Sequence, residues 1–557
     1  MSLLDKYKSR VQQLKTMFPR VVGRRITRFL LEYWLLFVVL ALGLYVWVEV
    51  FRAALTDYLD SSVWVSRMVW LGKGEFQLFG YTVQYQLEGY SDYSFYYVHW
   101  GNNMLNGILP YCEEFGHIEL EGVTNNNGLY IFPPLYALLY AAGVALNLDG
   151  YWGIGLLLAA FGYLTALPTY GIAKELSGNR HVGEAAALTY LLNPNVLYHI
   201  DFAWLNPSPF IFFFFLGFYF LVKNHRHLGT VSIVVAALFK QTAWFLGFPL
   251  VVYLLIRPRP MRRGDTQDTE DEEIEKEPET QKASQKVIVL LRRISSYFDL
   301  RGFAQSTLLV LIIVGIVMAP FIIAQGENVL FYMSLAAGGF PLESFTDPPG
   351  YGMPIRLQVL PVMAGMPELA QALDTLVYDK FLLTLGVVLF LGLMVIEPRP
   401  ADHPRRYMRR LLYLTLLLML WVHLTGPRGV FKYYFTLFAP FFSILSSTKM
   451  VTSKEETVGF SVSMLWLPIA LSLLILLPDR NVYLAGVIII FVGYVAADAV
   501  GAFWNVLTAP LRWLGRAVTT RLRPVRQRVA AWWRGVRPHH NMTVDNGPTE
   551  SSEAPSE

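Results

Sequence analysis

The chain has 557 residues, of which 54% are hydrophobic and 16% are charged, and its mean hydropathy is +0.39. Soluble domains carry about 25% charged residues, so this composition points to a bilayer rather than to an ordinary soluble enzyme. The net charge of +4 is small, and its distribution along the chain matters more than its sum. Cys112 is the only cysteine, which excludes an internal disulfide and any CxxC metal or redox site.

The first apolar run, 28–52, follows a basic segment that is too long and too charged to be a cleavable signal. A spanning helix needs about 20 mostly apolar residues, and Lys and Arg in short loops mark the cytoplasmic side. We therefore expect 1–27 in the cytoplasm, a first span at 28–52, and a long polar and aromatic loop, 55–150, outside.

The next apolar run, 133–146, is shorter than an ordinary span, and we expect it to lie flat outside as a juxtamembrane helix. In that case the following run, 151–173, crosses inward. It then places Lys174, Arg180 and His181 in the cytoplasm, as basic loop residues prefer. If 133–146 crossed the membrane instead, the same basic loop would face outward.

The alternation of apolar runs and basic loops continues along the chain. One run, 229–256, has basic residues on both flanks, so we expect two short helices with a bend near Lys240 and Gln241 that puts the lysine toward the outer side. The other expected spans are 183–200, 207–223, 303–324, 381–397, 410–426, 430–447, 459–477 and 481–502. The prediction is an all-α polytopic membrane protein with about 12 transmembrane helices and both termini in the cytoplasm.

These features divide the chain into segments of different character. The N-terminal membrane module covers 28–256, and a C-terminal module covers 301–508 with a second external loop at 325–380. Between them, 257–300 is rich in Glu, Asp and Pro and is expected to be disordered in the cytoplasm. The tail, 509–557, has many arginines with interleaved Trp and Leu, which favours contact with anionic lipid over nucleic acid, and its end is expected to be disordered.

An ordered set of short motifs runs through the first external loop and the helices after it. Its members are Asp92, Tyr96, Gly107, Pro110, Tyr111, Glu113, Glu114, Pro133, Pro134 and Leu135, then LLNPN at 191–195. A basic loop, a short helix, a lysine and another short helix follow at 223–255. This order resembles the GT-C superfamily of polyprenyl-phosphate-sugar glycosyltransferases over roughly the first half of the chain.

The resemblance implies a GT-C-type bundle and a hexosyltransferase, with mannose as the preferred sugar. The donor is a dolichyl or polyprenyl phosphate sugar, and the acceptor is a lipid-linked or protein-linked glycan on the extracytoplasmic face of the plasma membrane, which suits an archaeal cell. Such a reaction needs a base for the acceptor hydroxyl and cations for the phosphate. Asp92 holds the family's acidic position and is the candidate catalytic base, and Glu113 and Glu114 are candidates for orienting acceptor hydroxyls.

Two groups of basic residues are candidate ligands of the donor phosphate. Lys240 lies inside an apolar pair of helices, where a charge is costly unless it pairs, lines a cavity or snorkels to the interface. The second group is predicted at the outer ends of two later spans, where ordinary interfacial anchors are the alternative explanation. Its members are His423, Arg428, Lys432 and Tyr433, with Tyr434 beside them.

The sequence also departs from the family pattern. The polar or acidic pair that related enzymes carry after the third span is replaced by WLNPSPF at 204–210, with Asp201 a few residues earlier as a substrate-binding candidate. The WWDYG element of oligosaccharyltransferases is absent, which argues against transfer of a whole glycan to asparagine. No cluster of His, Asp and Glu has metal-ligand spacing, although several carboxylates in one loop allow recruitment of a divalent cation.

Two other classes of protein stay open. A transporter or flippase of lipid-linked glycans predicts charges within several spans, and Lys240 and Asp498 are among the few deep charges. An inverted-repeat transporter also predicts paired broken spans, and no counterpart to 229–256 is evident in the sequence. A membrane scaffold whose external loop binds a partner predicts that Asp92 can be neutralised without consequence.

Overall fold

The computed structural model describes most of the chain up to Val492. The described residues are 9, 12, 25–60, 73–78, 80–86, 92–120, 123–125, 128–146, 148, 151–258, 297–337, 357–397, 399–401, 404–426, 429–448, 470–477, 482–490 and 492. They form mainly α-helices, as the sequence predicts, with two short β-hairpins in the predicted first external loop, 55–150. The predicted arginine-rich tail and the predicted spans 459–477 and 481–502 lie wholly or partly outside them.

Four helices among the described residues are long and apolar enough to cross a bilayer: Glu32–Leu59, Gly153–Ser177, Leu300–Gln325 and Pro404–Thr425. A fifth crossing results if two helices that meet at 68°, Pro367–Tyr378 and Phe381–Ile396, form one broken span. The apolar window of Leu300–Gln325 is only 11% buried, so most of this helix faces outward, as expected in lipid. The protein is therefore a helical membrane protein.

The other helices are shorter and pack around these spans. The first span belongs to a helix that covers Arg25–Asp60, and the second is made of Gly153–Leu164 and Ala166–Ser177. The shorter α-helices are Val98–Leu105, Pro134–Ala145, Arg180–Leu191, Pro194–Val196, Ser208–Val222, Arg226–Phe239, Gly247–Leu255, Asn328–Ser334, Val359–Met363 and Phe438–Thr448. Two π-helical turns, Tyr93–Tyr97 and Leu197–Phe202, lie in the N-terminal module.

The predicted first external loop contains strands that the all-α prediction did not include. Lys73–Leu78 pairs with Tyr81–Gln86, and Ile118–Leu120 pairs with Val123–Asn125, both antiparallel. Apolar and polar residues alternate in the first pair, and Gly80 at its turn has a φ of +84°, which glycine adopts without strain. This stretch therefore has the period of a hairpin rather than that of a helix.

The helix Pro134–Ala145 has 12 residues. At 1.5 Å per residue it is about 18 Å long, well short of the roughly 30 Å of a bilayer core. Its start is fixed by Tyr130, whose hydroxyl donates to the Pro133 carbonyl at 2.6 Å and accepts from the Ala137 amide at 2.9 Å. The predicted short helix is present at this position.

The predicted break near Lys240 is also confirmed. The helix Arg226–Phe239 ends at Lys240, which is extended, and the chain resumes as a six-residue 3₁₀-helix, Gln241–Leu246, before Gly247–Leu255. Gly229 in the first of these helices lies against Gly217 of the preceding helix, where a Cβ would clash with the Leu221 side chain. This close contact holds the broken pair against the rest of the N-terminal module.

Both flanks of the acidic insert are held together at the predicted cytoplasmic end. Ile256 and Phe298 form an isolated antiparallel bridge, and the buried Arg399 donates to the Ile256 carbonyl at 3.1 Å while its guanidinium lies 3.9 Å from the ring centre of Tyr253. The predicted disordered insert, 257–300, is therefore anchored at its two ends. The prediction for 259–296 lies outside the described residues.

Candidate active site

Asp92 lies at the start of a continuous helical segment made of the π-turn Tyr93–Tyr97 and the α-helix Val98–Leu105. A helix N-terminus favours a negative charge because its first amide groups point toward it. The Asp92 side chain is half-buried. Burial raises the pKa of Asp92 above its ordinary value of 3.8, while its own backbone amide and the charge of Lys240 oppose that rise. This carboxyl group is therefore a stronger base than a solvated aspartate.

Tyr93 fixes the position of this helix start. Its hydroxyl donates to the Tyr151 carbonyl at 2.7 Å and accepts from the Gly155 amide at 3.0 Å. Its ring packs against Trp204, with 4.9 Å between the ring centres. Tyr93 is fully buried, so the residue next to Asp92 is held against the second span and against the loop that contains Trp204.

Lys240 is buried, with 5% of its surface exposed, and its extended backbone places the side chain among aromatic rings. The distances from its ammonium nitrogen to the ring centres are 4.3 Å for Tyr434, 5.6 Å for Tyr433, and 5.8 Å for both Phe132 and Phe210. These four rings form what we call the aromatic cage. Ring faces attract a cation but satisfy it less well than an anion does.

The two strongest sequence candidates act on each other electrostatically. The charge of Lys240 lowers the pKa of Asp92 and so opposes the effect of burial, although the two residues lie far apart in the sequence. Apolar and aromatic surroundings strengthen this attraction, because they screen charges less than water does. A base and a cation in one poorly hydrated site can take a proton from a hydroxyl group and stabilise an anionic leaving group.

His423 and Tyr433 bring the C-terminal module to the same site. His423 lies within electrostatic reach of Lys240, and its ring centre is 5.8 Å from that of Tyr434. Its Nδ1 donates to the Met419 carbonyl at 2.7 Å, since a carbonyl only accepts, which leaves Nε2 as the acceptor of the neutral ring. Tyr433 borders both Lys240 and Asp92. The structure thus places four of the predicted residues together.

Lys432, another basic candidate of that group, has different neighbours. Its ammonium group donates to the Leu477 carbonyl at 2.7 Å and lies 5.3 Å from the ring centre of Tyr483. These partners are not part of the aromatic cage. Arg428 lies outside the described residues.

The three remaining acidic candidates are not connected to Asp92 and Lys240 by any described contact. Glu113 and Glu114 are exposed at a short 3₁₀-turn in the predicted first external loop. Glu113 is near Tyr332, and burial together with the Glu113 charge raises the pKa of that tyrosine. Asp201 is 1% exposed, and neither of its carboxylate oxygens has a hydrogen-bond partner among the described residues. Nothing in the described geometry connects these three side chains to Lys240.

A stack of tyrosines forms the wall beside Asp92, and sequence reasoning missed it. The rings of Tyr97 and Tyr140 are parallel within 8° with centres 4.7 Å apart, and Tyr136 continues the stack at 5.6 Å from Tyr140. Burial and then the Asp92 charge raise the pKa of Tyr97. The spacing of Tyr136 and Tyr140, four residues apart on one helix, is the signal that could have indicated a shared face.

No group of three His, Cys, Asp or Glu side chains that could hold a metal ion occurs within the described part of the chain. The chain matches no protein-family model and no curated protein sequence. The site is therefore interpreted from its own residues: a carboxyl group, a caged ammonium and a surrounding shell of tyrosines.

Proposed function

We propose that the protein is a membrane glycosyltransferase that transfers a hexose from dolichyl or polyprenyl phosphate to a lipid-linked or protein-linked glycan. The observation that carries this proposal is the convergence of Asp92 and Lys240 in one aromatic, poorly hydrated site. The order of motifs that resembles the GT-C superfamily supports it, and mannose is the preferred sugar on that resemblance alone.

The proposed topology has about 12 spans, cytoplasmic termini and an extracytoplasmic active site in the plasma membrane. The distribution of charge supports it. In the proposed topology, five basic residues lie at the cytoplasmic ends of the helices, opposite to Asp92. They are Lys174, Arg180, Lys223, Arg226 and Arg399. A donor that is already anchored in the membrane by its lipid then reaches the site from the outer leaflet.

The proposed reaction follows from the chemistry of the two groups. The ionised Asp92 takes the proton of an acceptor hydroxyl, and the freed oxygen attacks the anomeric carbon of the donor sugar. The bond from that carbon to the phosphate oxygen breaks, and the electron pair leaves with the lipid phosphate. Lys240 stabilises the charge that develops on the phosphate. The resemblance implies inversion at the anomeric carbon.

The other candidates take supporting roles in this scheme. His423 and Tyr433 border the phosphate side of the site, because they lie close to Lys240. In the proposal, Glu113 and Glu114 orient hydroxyl groups of the acceptor glycan, and their exposure leaves them accessible to a large acceptor. From the sequence, Asp201 and Arg428 are further substrate-binding candidates, and the carboxylates of the loop could recruit a divalent cation. Lys432, a sequence candidate as well, has no substrate role in this proposal, because its ammonium group donates to the Leu477 carbonyl.

Transfer of radiolabelled sugar from polyprenyl-phosphate hexoses to membrane lipid acceptors tests the proposal. Asp92→Asn, at equal expression, is expected to lower the rate by at least about 10³-fold while the donor still binds. The matched control is Asp379→Asn, an exposed aspartate of the second external loop, which should keep the wild-type rate. Full activity of Asp92→Asn removes this base from the mechanism. No transfer by the wild type with any donor favours a transporter or flippase.

A further inference from the structure

Asn206 lies in a tightly held loop between the π-turn Leu197–Phe202 and the helix that begins at Ser208. The loop contains Trp204, a fully buried residue whose φ of +52° is rare for a side chain of this size. Asn206 itself is 1% exposed. A buried asparagine in a strained loop needs a reason, because burial of an amide costs free energy unless its hydrogen bonds are made.

Three tyrosine hydroxyls surround Asn206. Its backbone carbonyl accepts a short hydrogen bond from Tyr136. Its side-chain nitrogen donates to the Tyr140 hydroxyl at 3.3 Å. Its backbone amide lies near the Tyr97 hydroxyl and opposes the rise in the pKa of Tyr97 that burial and the Asp92 charge produce. Asn206 is therefore the point where the tyrosine stack beside Asp92 is joined to the loop.

One polar atom of Asn206 has no hydrogen-bond partner among the described residues. The side-chain oxygen of Asn206 is buried and has no hydrogen-bond partner among the described residues, and the Tyr97 hydroxyl makes no well-formed hydrogen bond either. Turning the amide over does not help, because its nitrogen then lacks an acceptor. An unpaired buried polar atom costs about 1–3 kcal/mol, and proteins rarely leave one without cause.

The unpaired oxygen belongs to the same site as the proposed base. Asn206 is hydrogen-bonded to Tyr140, and the charge of Asp92 acts on both Tyr140 and Tyr97. We propose that the Asn206 side chain binds a hydroxyl group of the acceptor sugar beside Asp92. This inference rests on the proposed function and names the part of the substrate that this residue recognises.

A sugar hydroxyl fits both unpaired groups. It donates one hydrogen to the Asn206 oxygen and accepts one from the Tyr97 hydroxyl, so it satisfies both atoms at once. The parallel rings of Tyr97 and Tyr140 add an apolar wall for the C–H face of a pyranose. The Asn206 oxygen is sealed from water in this structure, so binding requires the surrounding side chains to move apart.

Binding of octyl hexosides tests this inference independently of sugar transfer. The full-length protein in lipid nanodiscs is titrated with the octyl glycosides of mannose, glucose and galactose and with the monodeoxy forms of the one that binds best. Asn206→Leu keeps the branched heavy-atom skeleton of the side chain and removes the amide. Asn206→Asp keeps an acceptor oxygen, and Asn102→Ala is the matched control, because that amide is already paired with its own helix at Val98.

The wild type and the Asn102 control are expected to bind one monodeoxy form about tenfold more weakly than the parent, because the site then keeps an unpaired polar atom. Asn206→Leu should bind the parent about tenfold more weakly and lose that preference, whereas Asn206→Asp should keep the preference. The inference is overturned if Asn206→Leu keeps the wild-type preference for the parent hexoside over its monodeoxy form. If Asn206→Leu does not fold, the inference is overturned when Asn206→Asp loses that preference. A wild type that binds no hexoside also overturns it. Normal binding without any sugar transfer instead contradicts the proposed function alone.

Discussion

Two regions of the molecule, around Lys240 and around Lys432, share nearly the same local pattern but surround their lysines differently. In each, a Phe-Lys dipeptide stands at the start of a six-residue 3₁₀-helix, and an α-helix follows. Gln241–Leu246 begins directly after Lys240, whereas Lys432 is the first residue of Lys432–Leu437. Both lysines are buried, with 5% and 1% of their surfaces exposed. The sequence reasoning found a broken span only around the first, so the second break is a finding of the structure.

The two lysines differ in what surrounds them. Lys240 lies among four rings and its charge acts on Asp92, whereas Lys432 donates to the Leu477 carbonyl at 2.7 Å. A hydrogen bond to a main-chain carbonyl stabilises packing between segments. The Lys240 ammonium group instead belongs to the site that contains the proposed base. The local pattern therefore predicts a buried lysine, and the neighbours decide its role.

Replacing each lysine by methionine gives the largest expected effect. Lys240→Met should lower kcat/KM for the lipid phosphate donor by about 10²–10³-fold, because a preorganised charge at the leaving group is lost. Lys432→Met should lower the Tm while the rate per folded molecule stays within about twofold. Sugar transfer and thermal unfolding of both variants in the same detergent check this contrast. A similar loss of transfer in both variants would show that Lys432 also serves the donor.

Removing one ring beside each lysine gives a smaller expected effect. Tyr434 is 4.3 Å from the Lys240 ammonium and Tyr483 is 5.3 Å from that of Lys432, measured to the ring centres. Tyr434→Leu should lower transfer about tenfold, because a desolvated cation–π contact is worth roughly 1–2 kcal/mol. Tyr483→Leu should leave the transfer rate within about twofold. Equal rates for the two variants would separate the cage from catalysis.

The sequence predicts the helical membrane fold and the broken pair around Lys240 because both depend on local patterns of apolar runs and flanking charge. The sequence also identifies Asp92 as the candidate base, because of its position in the ordered set of motifs. The aromatic cage is different. Phe132, Phe210 and Tyr434 come from three separate segments, and only the packing of the helices brings their rings to one ammonium group.

Asn206 and Lys432 mark the limits of sequence reasoning from two directions. The motif comparison treats 204–210 as a departure from the family, and nothing in that stretch predicts that three tyrosine hydroxyls surround the Asn206 side chain and backbone. Lys432 is adjacent in sequence to Tyr433, yet the two side chains have different neighbours. The reason is that neighbouring residues on a 3₁₀-helix point in directions about 120° apart. Nearness along the chain is therefore a weak guide to shared function here.

The pH dependence of sugar transfer sharpens the comparison further. Asp92 acts as a base only when it is ionised, and burial raises its pKa, so the rate should fall as the pH drops, at a higher pH than for a solvated aspartate. The Lys240 charge opposes that rise. The residual activity of Lys240→Met should therefore show this acidic limb at a still higher pH, and Lys432→Met should leave it unchanged. An unshifted limb in Lys240→Met would mean that the lysine does not act on this base.

The smallest expected effect is on stability. The pKa of Asp92 is raised in the folded protein, so the folded state holds this proton more tightly than the unfolded state does. The stability that protonated Asp92 supports is fully present below the ordinary pKa of 3.8 and is lost as the pH rises through the raised value. Asp92→Asn should therefore raise the Tm by a few degrees at neutral pH, and the gain should shrink toward zero in acid. A Tm difference that is constant with pH would show that Asp92 is charged without cost, as a solvated residue would be.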